Sequence, residues 1–201
     1  MKDPSGAEEK TAMTPNKALT AVKTELDGAI IVEPLVHGDS RGWFYESYSK
    51  KKYEELGIKA DFVQDNRSYS AQKGILRGLH CQLDPFAQAK LITCTKGAIL
   101  DIAVDIREGS PTYMKWVKVE LSAENKRQFF IPRGFLHGFV TLTDEVEVMY
   151  KTDNYYEPSA DRSIAFNDPD INIDWGIDAP VLSAKDSSAP LLKDSDVKFT
   201  Y

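Results

Sequence analysis

The residues best suited to chemistry lie together in residues 74–90, GILRGLHCQLDPFAQAK. This segment holds His80, one of three histidines in the chain, with Arg77, Gln82 and Lys90 close by. A base, two cations and an amide are unusual in a segment that is otherwise apolar, because a polar group buried without a partner costs free energy. The plain alternative is a hydrogen-bonded core histidine flanked by two surface cations. The strands and loops that position these residues, and the motifs in the rest of the chain, distinguish between the two interpretations.

Length and charge limit the kinds of protein that this sequence can encode. A chain of 201 residues fits one domain with tails and is long enough to bury a large core. The net charge of −6 argues against a nucleic acid partner, which calls for a basic surface, but it is compatible with a small phosphorylated ligand. No apolar run reaches the roughly eighteen residues of a membrane span, and no apolar secretory signal is present at the N-terminus.

The two cysteines bear on the compartment. Cys81 and Cys94 lie in strand-like segments and lack the CxxC spacing of metal or redox motifs. We therefore expect a cytoplasmic protein with two free thiols.

The pattern of the chain predicts an all-β domain behind a short extension. Residues 1–20 are polar and lack periodicity, so we expect a disordered N-terminal extension, with a single domain over residues 21–201. A turn-rich loop is expected over residues 36–42, a strand over 43–48, and a helix over 50–56 with Ser49 as its cap and Gly57 at its end. Further short strands are predicted over residues 29–32, 62–66, 75–82, 90–95, 98–106, 115–121, 128–131, 138–142 and 145–152. This spacing favours a β-sandwich or closed barrel, wrapped by a C-terminal tail that ends in short helical turns.

Side-chain alternation along these strands indicates which groups point inward. Tyr150 shares a face with two valines of its strand, so it is expected to point into the core or the mouth of the barrel. Lys90 also lies on an apolar face, where a cation needs a ligand or a carboxylate. Strict alternation separates Arg77 from His80, unless Gly78 marks a β-bulge.

A metal site is not expected. Residues 132–137, PRGFLH, match the Pro-x-Gly-x-x-His motif of the cupin jelly rolls, and this motif supplies His137. The other cupin motif normally begins with His-x-His, but here the triplet is His80-Cys81-Gln82. A first-row metal needs about three good ligands, and two histidines with an amide form a poor set.

A series of motifs, each weak alone, runs through the chain from residue 39 to residue 186: DSRGWFYE (39–46), QDN (64–66), GILRGLHCQ (74–82), QAKL (88–91), VDIR (104–107), SPT (110–112), IPRGFLHGF (131–139), YKT (150–152), NDP (167–169) and LSAKD (182–186). Together these motifs resemble those of the dTDP-4-dehydrorhamnose 3,5-epimerase family. Three departures stand out. Cys81 replaces the usual aromatic residue, Met114 the usual glycine and Leu136 the usual alanine, and we expect Leu136 to reshape the sugar pocket.

The resemblance implies a cupin jelly-roll fold, all-β with a few short helices, without metal or other cofactor. It implies a dTDP-linked 4-keto-6-deoxy sugar as substrate, inverted at C5 and then at C3. Enolisation needs a base, and His80 matches it, because histidine is the side chain that most often acts as a general base, with Asp186 as its carboxylate partner. Lys90 matches the group that stabilises the enolate oxygen, and Tyr150 matches the acid on the opposite face.

The resemblance also implies a set of substrate-binding residues and a homodimer. Arg77 and Arg41 match a diphosphate clamp, since a guanidinium binds phosphate oxygens in pairs. Phe44 and Tyr156 are expected to line the pocket. Further ligand contacts fall on Glu46, Gln64, Asn66, Lys90, His137, Asp161 and Lys185. The family's exchange of an N-terminal strand between subunits predicts active sites shared across the dimer.

The sequence alone also allows other functions. A single-site epimerase, acting only at C3 or C5 of a related nucleotide sugar, needs the same base and acid. A non-catalytic sugar-binding jelly roll leaves the convergence of His80, Lys90, Tyr150 and Asp186 unexplained, and a metal-dependent cupin oxygenase lacks its ligands. Each site residue also has a plainer alternative: Tyr150 as a core tyrosine, or Asp186 as a helix cap.

Overall fold

The computed structural model describes residues 18–201, which form fifteen strands and three short helices. Most of the predicted extension over residues 1–20 lies outside the described residues, although Thr20 already begins the first strand. The strands in chain order are β1 (Thr20–Lys23), β2 (Ile30–Glu33), β3 (His37–Asp39), β4 (Gly42–Phe44), β5 (Gln64–Ser70), β6 (Leu76–Gln82), β7 (Lys90–Lys96), β8 (Ala98–Asp105), β9 (Arg107–Glu108), β10 (Trp116–Ser122), β11 (Gln128–Ile131), β12 (Phe135–Thr141), β13 (Val146–Thr152), β14 (Asp161–Ser163) and β15 (Phe199–Thr200).

Two antiparallel sheets face each other. One has six strands in the order β1-β2-β11-β7-β13-β5, and the other has five in the order β10-β8-β12-β6-β14. Apolar side chains of both sheets meet between them, with Ile92, Phe129 and Val148 from the first and Ile99 and Phe139 from the second. Each such buried side chain contributes about 1.5–3 kcal/mol. The predicted jelly-roll β-sandwich is confirmed.

The outer faces of both sheets are also covered. Trp175 and Phe199 of the C-terminal tail pack with Leu76 and Leu136 on the five-stranded sheet. The tail includes helix α2 (Ala184–Ser187) and a 3₁₀ helix (Leu192–Asp194), which confirms the predicted helical turns. No described helix has the length and apolar character required to cross a lipid bilayer.

Helix α1 (Lys50–Glu55) lies where a helix was predicted and packs Tyr53 against the six-stranded sheet. Gly57 follows the C-cap residue Leu56 and has φ +93°. The Gly57 amide donates to the Glu54 carbonyl at 3.0 Å, and the Ile58 amide donates to the Tyr53 carbonyl at 2.9 Å. This pairing is a Schellman motif, which favours glycine. Ser49 occupies the predicted N-cap position and its carbonyl accepts from the Tyr53 amide at 2.9 Å, but its hydroxyl makes no capping bond.

The predictions for residues 36–48 were also wrong in detail. The expected loop contains β3, which pairs with β4 as a hairpin, and the expected strand ends at Phe44. The hairpin is polar and its aromatic side chains are exposed, so it lacks the one-sided burial that alternation detects.

Candidate active site

A cleft of about 420 Å³ opens between the two sheets and the C-terminal tail. Strands β6 and β12 supply one wall, β5, β7 and β13 the facing wall, and residues 181–186 the rim. The lining side chains are Ser68, Ile75, Leu76, Arg77, His80, Lys90, His137, Phe139, Tyr150, Val181, Leu182, Ser183, Lys185 and Asp186. Seven predicted site residues therefore share one cavity: Arg77, His80, Lys90, His137, Tyr150, Lys185 and Asp186.

His80 and Asp186 form a hydrogen-bonded pair. His80 Nε2 lies 2.6 Å from Asp186 Oδ1, and Asp186 is held in place because its amide donates to the Ser183 hydroxyl at 3.0 Å, which caps α2. Burial raises the pKa of Asp186, but hydrogen bonds from His80, Ser183 and the Gly78 amide outweigh burial and hold it below its usual range. An ionised Asp186 fixes the Nε2–H tautomer of His80. The Nδ1 lone pair is then the one that can accept a proton.

A β-bulge at Gly78 brings Arg77 to the same side as His80. In the pairing of β6 with β12, His137 lies opposite His80 and Phe139 opposite Arg77, so two residues on β6, Gly78 and Leu79, lie opposite the single residue Gly138 on β12. Gly78 has φ +130°, and an added Cβ would lie 2.5 Å from the Cα of the facing Gly138. Only glycine fits there, and the extra residue resets the alternation.

Lys90 reaches the cleft from the six-stranded sheet without an ionic partner. Within residues 18–201 no carboxylate lies in ion-pair contact with its ammonium, and Asp101 and Asp161 attract it only through longer-range electrostatic interactions. Burial lowers the pKa of Lys90. A partly buried cation without a partner is stabilised when a ligand brings negative charge to it.

Tyr150 lies on β13, in the sheet that faces the strand of His80. Its ring packs beside the valines of β13, as its strand parity predicted, and its hydroxyl makes no hydrogen bond within the described residues. Burial raises the pKa of Tyr150, so the phenol keeps its proton at neutral pH. The cleft thus has a base on one wall and a protonated acid on the other.

A second histidine–carboxylate pair lies in the same wall as His80. His137 Nε2 lies 2.7 Å from Oδ1 of Asp101, which is 0 % exposed, and no described group bonds to the other carboxylate oxygen. Burial raises the pKa of Asp101 and lowers that of His137, because burial disfavours the charged form of each group. Sequence reasoning missed Asp101. The available signal was a lone carboxylate in the apolar run of residues 98–104.

Asp161 and Tyr156 are connected to the rim of the cleft. The Lys185 ammonium pairs with the Asp161 carboxylate, and the Tyr156 hydroxyl donates to the same carboxylate at 3.3 Å. The Tyr156 amide donates to Gln64 Oε1 at 3.1 Å, and Gln64 donates to Asn66 Oδ1 at 2.9 Å. This chain of contacts leads back towards Tyr150, because Asn66 is its partner in the β13–β5 register.

The single chain does not bring the remaining predicted residues into the cleft. Arg41 pairs with Asp39 on the β3–β4 hairpin at 2.7 Å, and Glu46 pairs with Lys52 at 3.0 Å. Phe44 is 69 % exposed. Arg41 and Phe44 line a separate depression that shares no residue with the cleft.

Leu136 does not reshape the cleft, so the expectation that it would was wrong. Strand β12 starts at Phe135, and its alternation places Leu136 on the outer face, buried against the C-terminal tail, while His137 points inward. Met114, another departure from the family pattern, has φ +61°, a left-handed conformation that glycine adopts more readily.

The position of the missing second histidine has a structural role. The Gln82 amide nitrogen donates to the Phe86 and Tyr155 carbonyls at 2.7 and 3.1 Å, and its oxygen accepts from the Glu157 amide at 2.8 Å. Within residues 18–201, no three His, Cys, Asp or Glu side chains converge in a way that could hold a metal ion. Gln82 therefore fixes the loops beside the cleft.

Comparison with known proteins identifies the family. The model of the dTDP-4-dehydrorhamnose 3,5-epimerase family matches residues 23–194. The chain belongs to this family. The dTDP-4-dehydrorhamnose 3,5-epimerase of Shigella flexneri is 52% identical over 179 residues, which are 89% of this chain and 98% of that protein.

Solved structures of epimerases agree with the family and its fold. The dTDP-6-deoxy-D-glucose-3,5-epimerase of Legionella pneumophila, in complex with dTDP-4-keto-L-rhamnose, is 50% identical with a TM-score of 0.83, covering 87% of this chain and 93% of that chain. A 3'-monoepimerase from Streptomyces bikiniensis, in complex with dTDP-quinovose, is 34% identical with a TM-score of 0.78, covering 85% and 86%. One of the proteins similar to this chain is thus named for a single inversion.

Proposed function

We propose that this chain is a dTDP-4-dehydrorhamnose 3,5-epimerase, which converts dTDP-4-dehydro-6-deoxy-D-glucose to dTDP-4-dehydro-L-rhamnose in dTDP-L-rhamnose biosynthesis. The observation that supports this proposal most directly is the arrangement of the cleft. His80 and Tyr150 project into it from facing sheets, and Lys90, which has no ion pair within the described residues, lines the same cleft. Inversion at a carbon next to a ketone requires proton removal from one face and return to the other.

Each side chain has a role that fits its surroundings. His80 removes the proton with Nδ1 while Asp186 orients the ring and stabilises the imidazolium that forms. Lys90 stabilises the enolate oxygen, whose charge takes the place of the missing carboxylate partner. Tyr150, kept protonated by burial, gives its proton to the opposite face. We assign the His137–Asp101 pair to the sugar-binding wall beside His80.

The nucleotide end is assigned to Arg77 and the rim. Arg77 and Lys185 supply positive charge for the diphosphate, and Tyr156 provides an exposed ring beside them for the base. Gln64, Asn66 and Asp161 lie along the contacts that join this rim to β13.

A coupled assay tests the reaction. Purified enzyme is incubated with the 4-keto-6-deoxy sugar nucleotide and a downstream 4-ketoreductase, and the product sugar is analysed by NMR. We expect the L-rhamnose nucleotide from the wild type and none from His80→Ala. A D-configured product only, or an L-product from His80→Ala at the wild-type rate, would contradict the proposed function.

We also propose that catalysis needs no metal or other cofactor. The support is the commitment of Gln82 to backbone contacts where metal-binding cupins carry a second histidine. Activity is expected to survive exhaustive chelation, with no stoichiometric metal found by elemental analysis. Activity that is lost on chelation and returns with zinc or iron would refute this.

We further propose a homodimer in which each active site receives residues from both subunits. Arg41, Phe44 and Glu46 match the family's ligand positions but lie outside the cleft of their own chain, and the hairpin that bears Phe44 also exposes Trp43 by 61 %. Exposed aromatic side chains on a hairpin are typical of a surface that contacts another subunit.

Subunit mixing tests the shared site. Inactive Arg41→Ala and His80→Ala proteins are dissociated reversibly and recombined, and hybrid dimers are isolated by two different affinity tags. If the residues belong to different subunits of one site, each hybrid regains one intact site and about half the activity of the wild type. Verified hybrids without activity would place Arg41 and His80 in the same subunit's site.

We infer a cytoplasmic location from the cysteines. Cys81 and Cys94 are buried and form no disulfide bond, which is usual for a protein of a reducing compartment. Residues 21–201 are proposed to act as one domain, because both sheets share one core.

A further inference from the structure

Arg77 joins the two sheets of the sandwich at the cleft. Its Nε donates to the Ser70 hydroxyl at 3.1 Å and its Nη2 to the Tyr69 carbonyl at 2.9 Å. Ser70 and Tyr69 lie on β5, the edge strand of the six-stranded sheet, whereas Arg77 lies on β6 of the five-stranded sheet. The guanidinium therefore spans from one wall to the other.

The donor inventory of Arg77 shows which edge remains available to a ligand. A guanidinium has five N–H donors in a planar fork. Nε and one hydrogen of Nη2 form its side edge, and both bond to β5. The end edge, made by Nη1 and the second hydrogen of Nη2, has no acceptor within the described residues. Two parallel donors on one edge match two oxygens of one phosphate group.

Ser70 is well placed to fix this orientation. It is 2 % exposed, and its strand position is set by its pairing with Val146 on β13. Arg77 supplies the only hydrogen bond to its hydroxyl within residues 18–201. Ser70 does not line the cleft, so any effect that it has on a ligand must pass through Arg77.

We propose that Ser70 is a positioning residue for phosphate recognition. Its hydroxyl, with the Tyr69 carbonyl, holds the side edge of Arg77 and turns the end edge towards one phosphate of the nucleotide diphosphate. This inference rests on the proposed function, which makes a nucleotide diphosphate the ligand. Without the Ser70 hydroxyl, Arg77 keeps its charge but must be ordered by the ligand itself, and that ordering lowers affinity.

Calorimetry with dTDP, and displacement of dTDP by thymidine, test the proposal on the full chain. Ser70→Ala is expected to weaken dTDP binding about five- to tenfold, the effect of one ordinary hydrogen bond lost, with thymidine binding unchanged because thymidine has no phosphate. In turnover, KM rises by the same factor while kcat stays within about twofold. Ser70→Thr keeps a hydroxyl and restores dTDP affinity.

A double-mutant cycle separates positioning from general structural damage. In an Arg77→Ala background, Ser70→Ala is expected to cause no further loss of dTDP affinity, since the residue through which it acts is gone. Ser122→Ala serves as the matched control: Ser122 is 8 % exposed, bonds to Asn125 and lies outside the cleft, so dTDP affinity is expected to stay at the wild-type value.

Three results would overturn the proposal: unchanged dTDP affinity in Ser70→Ala, equal loss of dTDP and thymidine affinity, or a full Ser70→Ala effect that persists without Arg77. Failure of the part of the proposed function on which this inference rests, a nucleotide diphosphate ligand, looks different, because wild-type protein would then bind no dTDP at all.

Discussion

Lys90 is predicted to reduce stability while it supports catalysis, and Lys90→Met separates the two effects. The ammonium is partly buried and has no ion pair within the described residues, and burial lowers its pKa. Methionine keeps most of the side-chain volume and removes the polar head. Relief of an unpaired buried polar group is worth about 1 kcal/mol or more. For a domain of this size that raises Tm by about 2–4 °C.

Activity is expected to move in the opposite direction. Loss of one donor to a developing oxyanion lowers kcat by about 10²–10³-fold. Thermal unfolding without ligand and steady-state kinetics measure the two quantities on the same preparation. Lys118→Met, at a surface lysine paired with Asp174, is the control and should leave both nearly unchanged. If Lys90→Met lowers Tm by several degrees, or keeps kcat within tenfold of the wild type, the assigned role of Lys90 is wrong.

Three further predictions concern the acid, the bulge and the pH dependence of stability. Tyr150→Phe should lower the rate of inversion by about 10²–10⁴-fold while exchange of the substrate α-proton is retained, and Tm should stay unchanged because the hydroxyl has no hydrogen bond to lose. An equal loss of exchange and inversion, followed by NMR, would contradict the assignment of Tyr150 as the acid. Gly78→Ala should lower the free energy of unfolding, measured with denaturant, by more than about 3 kcal/mol, because the new Cβ would lie 2.5 Å from the facing backbone. Gly57→Ala has open space around it and should lower the free energy of unfolding by only about 1–2 kcal/mol, so similar losses in the two variants would contradict the argument from close approach. Burial raises the pKa of Asp105, but its hydrogen bonds lower that pKa by more, so the ionised carboxylate should stabilise the fold above about pH 4–5 and lose this contribution as pH falls through its folded-state pKa. The difference in the free energy of unfolding between the wild type and Asp105→Asn should therefore become smaller in acid, and a difference that is constant with pH would refute this.

Sequence reasoning predicted the orientation of groups on regular strands. Lys90 and Tyr150 point into the sandwich because β7 and β13 keep strict alternation where those residues lie. Arg77 could not be oriented by alternation alone, because a bulge adds one residue to β6 and the sequence offers only a glycine as its sign. Leu136 was misplaced because it was judged by its neighbour in sequence, whereas adjacent residues on a strand point to opposite faces.

The long-range pairs were beyond the sequence. The His137–Asp101 contact joins two strands of the same sheet, and the Arg77–Ser70 contact joins the two sheets. Each requires the strand register, which single-sequence patterns do not supply. Strand β3 was predicted as part of a loop, because the residues of the β3–β4 hairpin show no one-sided burial.

The central claim is that one base and one acid on facing sheets invert two carbons of the same sugar. The most direct test is to incubate the 4-keto-6-deoxy sugar nucleotide with enzyme in heavy water and to follow the C3 and C5 protons by NMR. We predict deuterium at both carbons, with C5 exchanging first, and no exchange with His80→Ala. Label confined to one carbon after long incubation with ample enzyme would show a single-site epimerase, and label at neither carbon would contradict the enolisation mechanism itself.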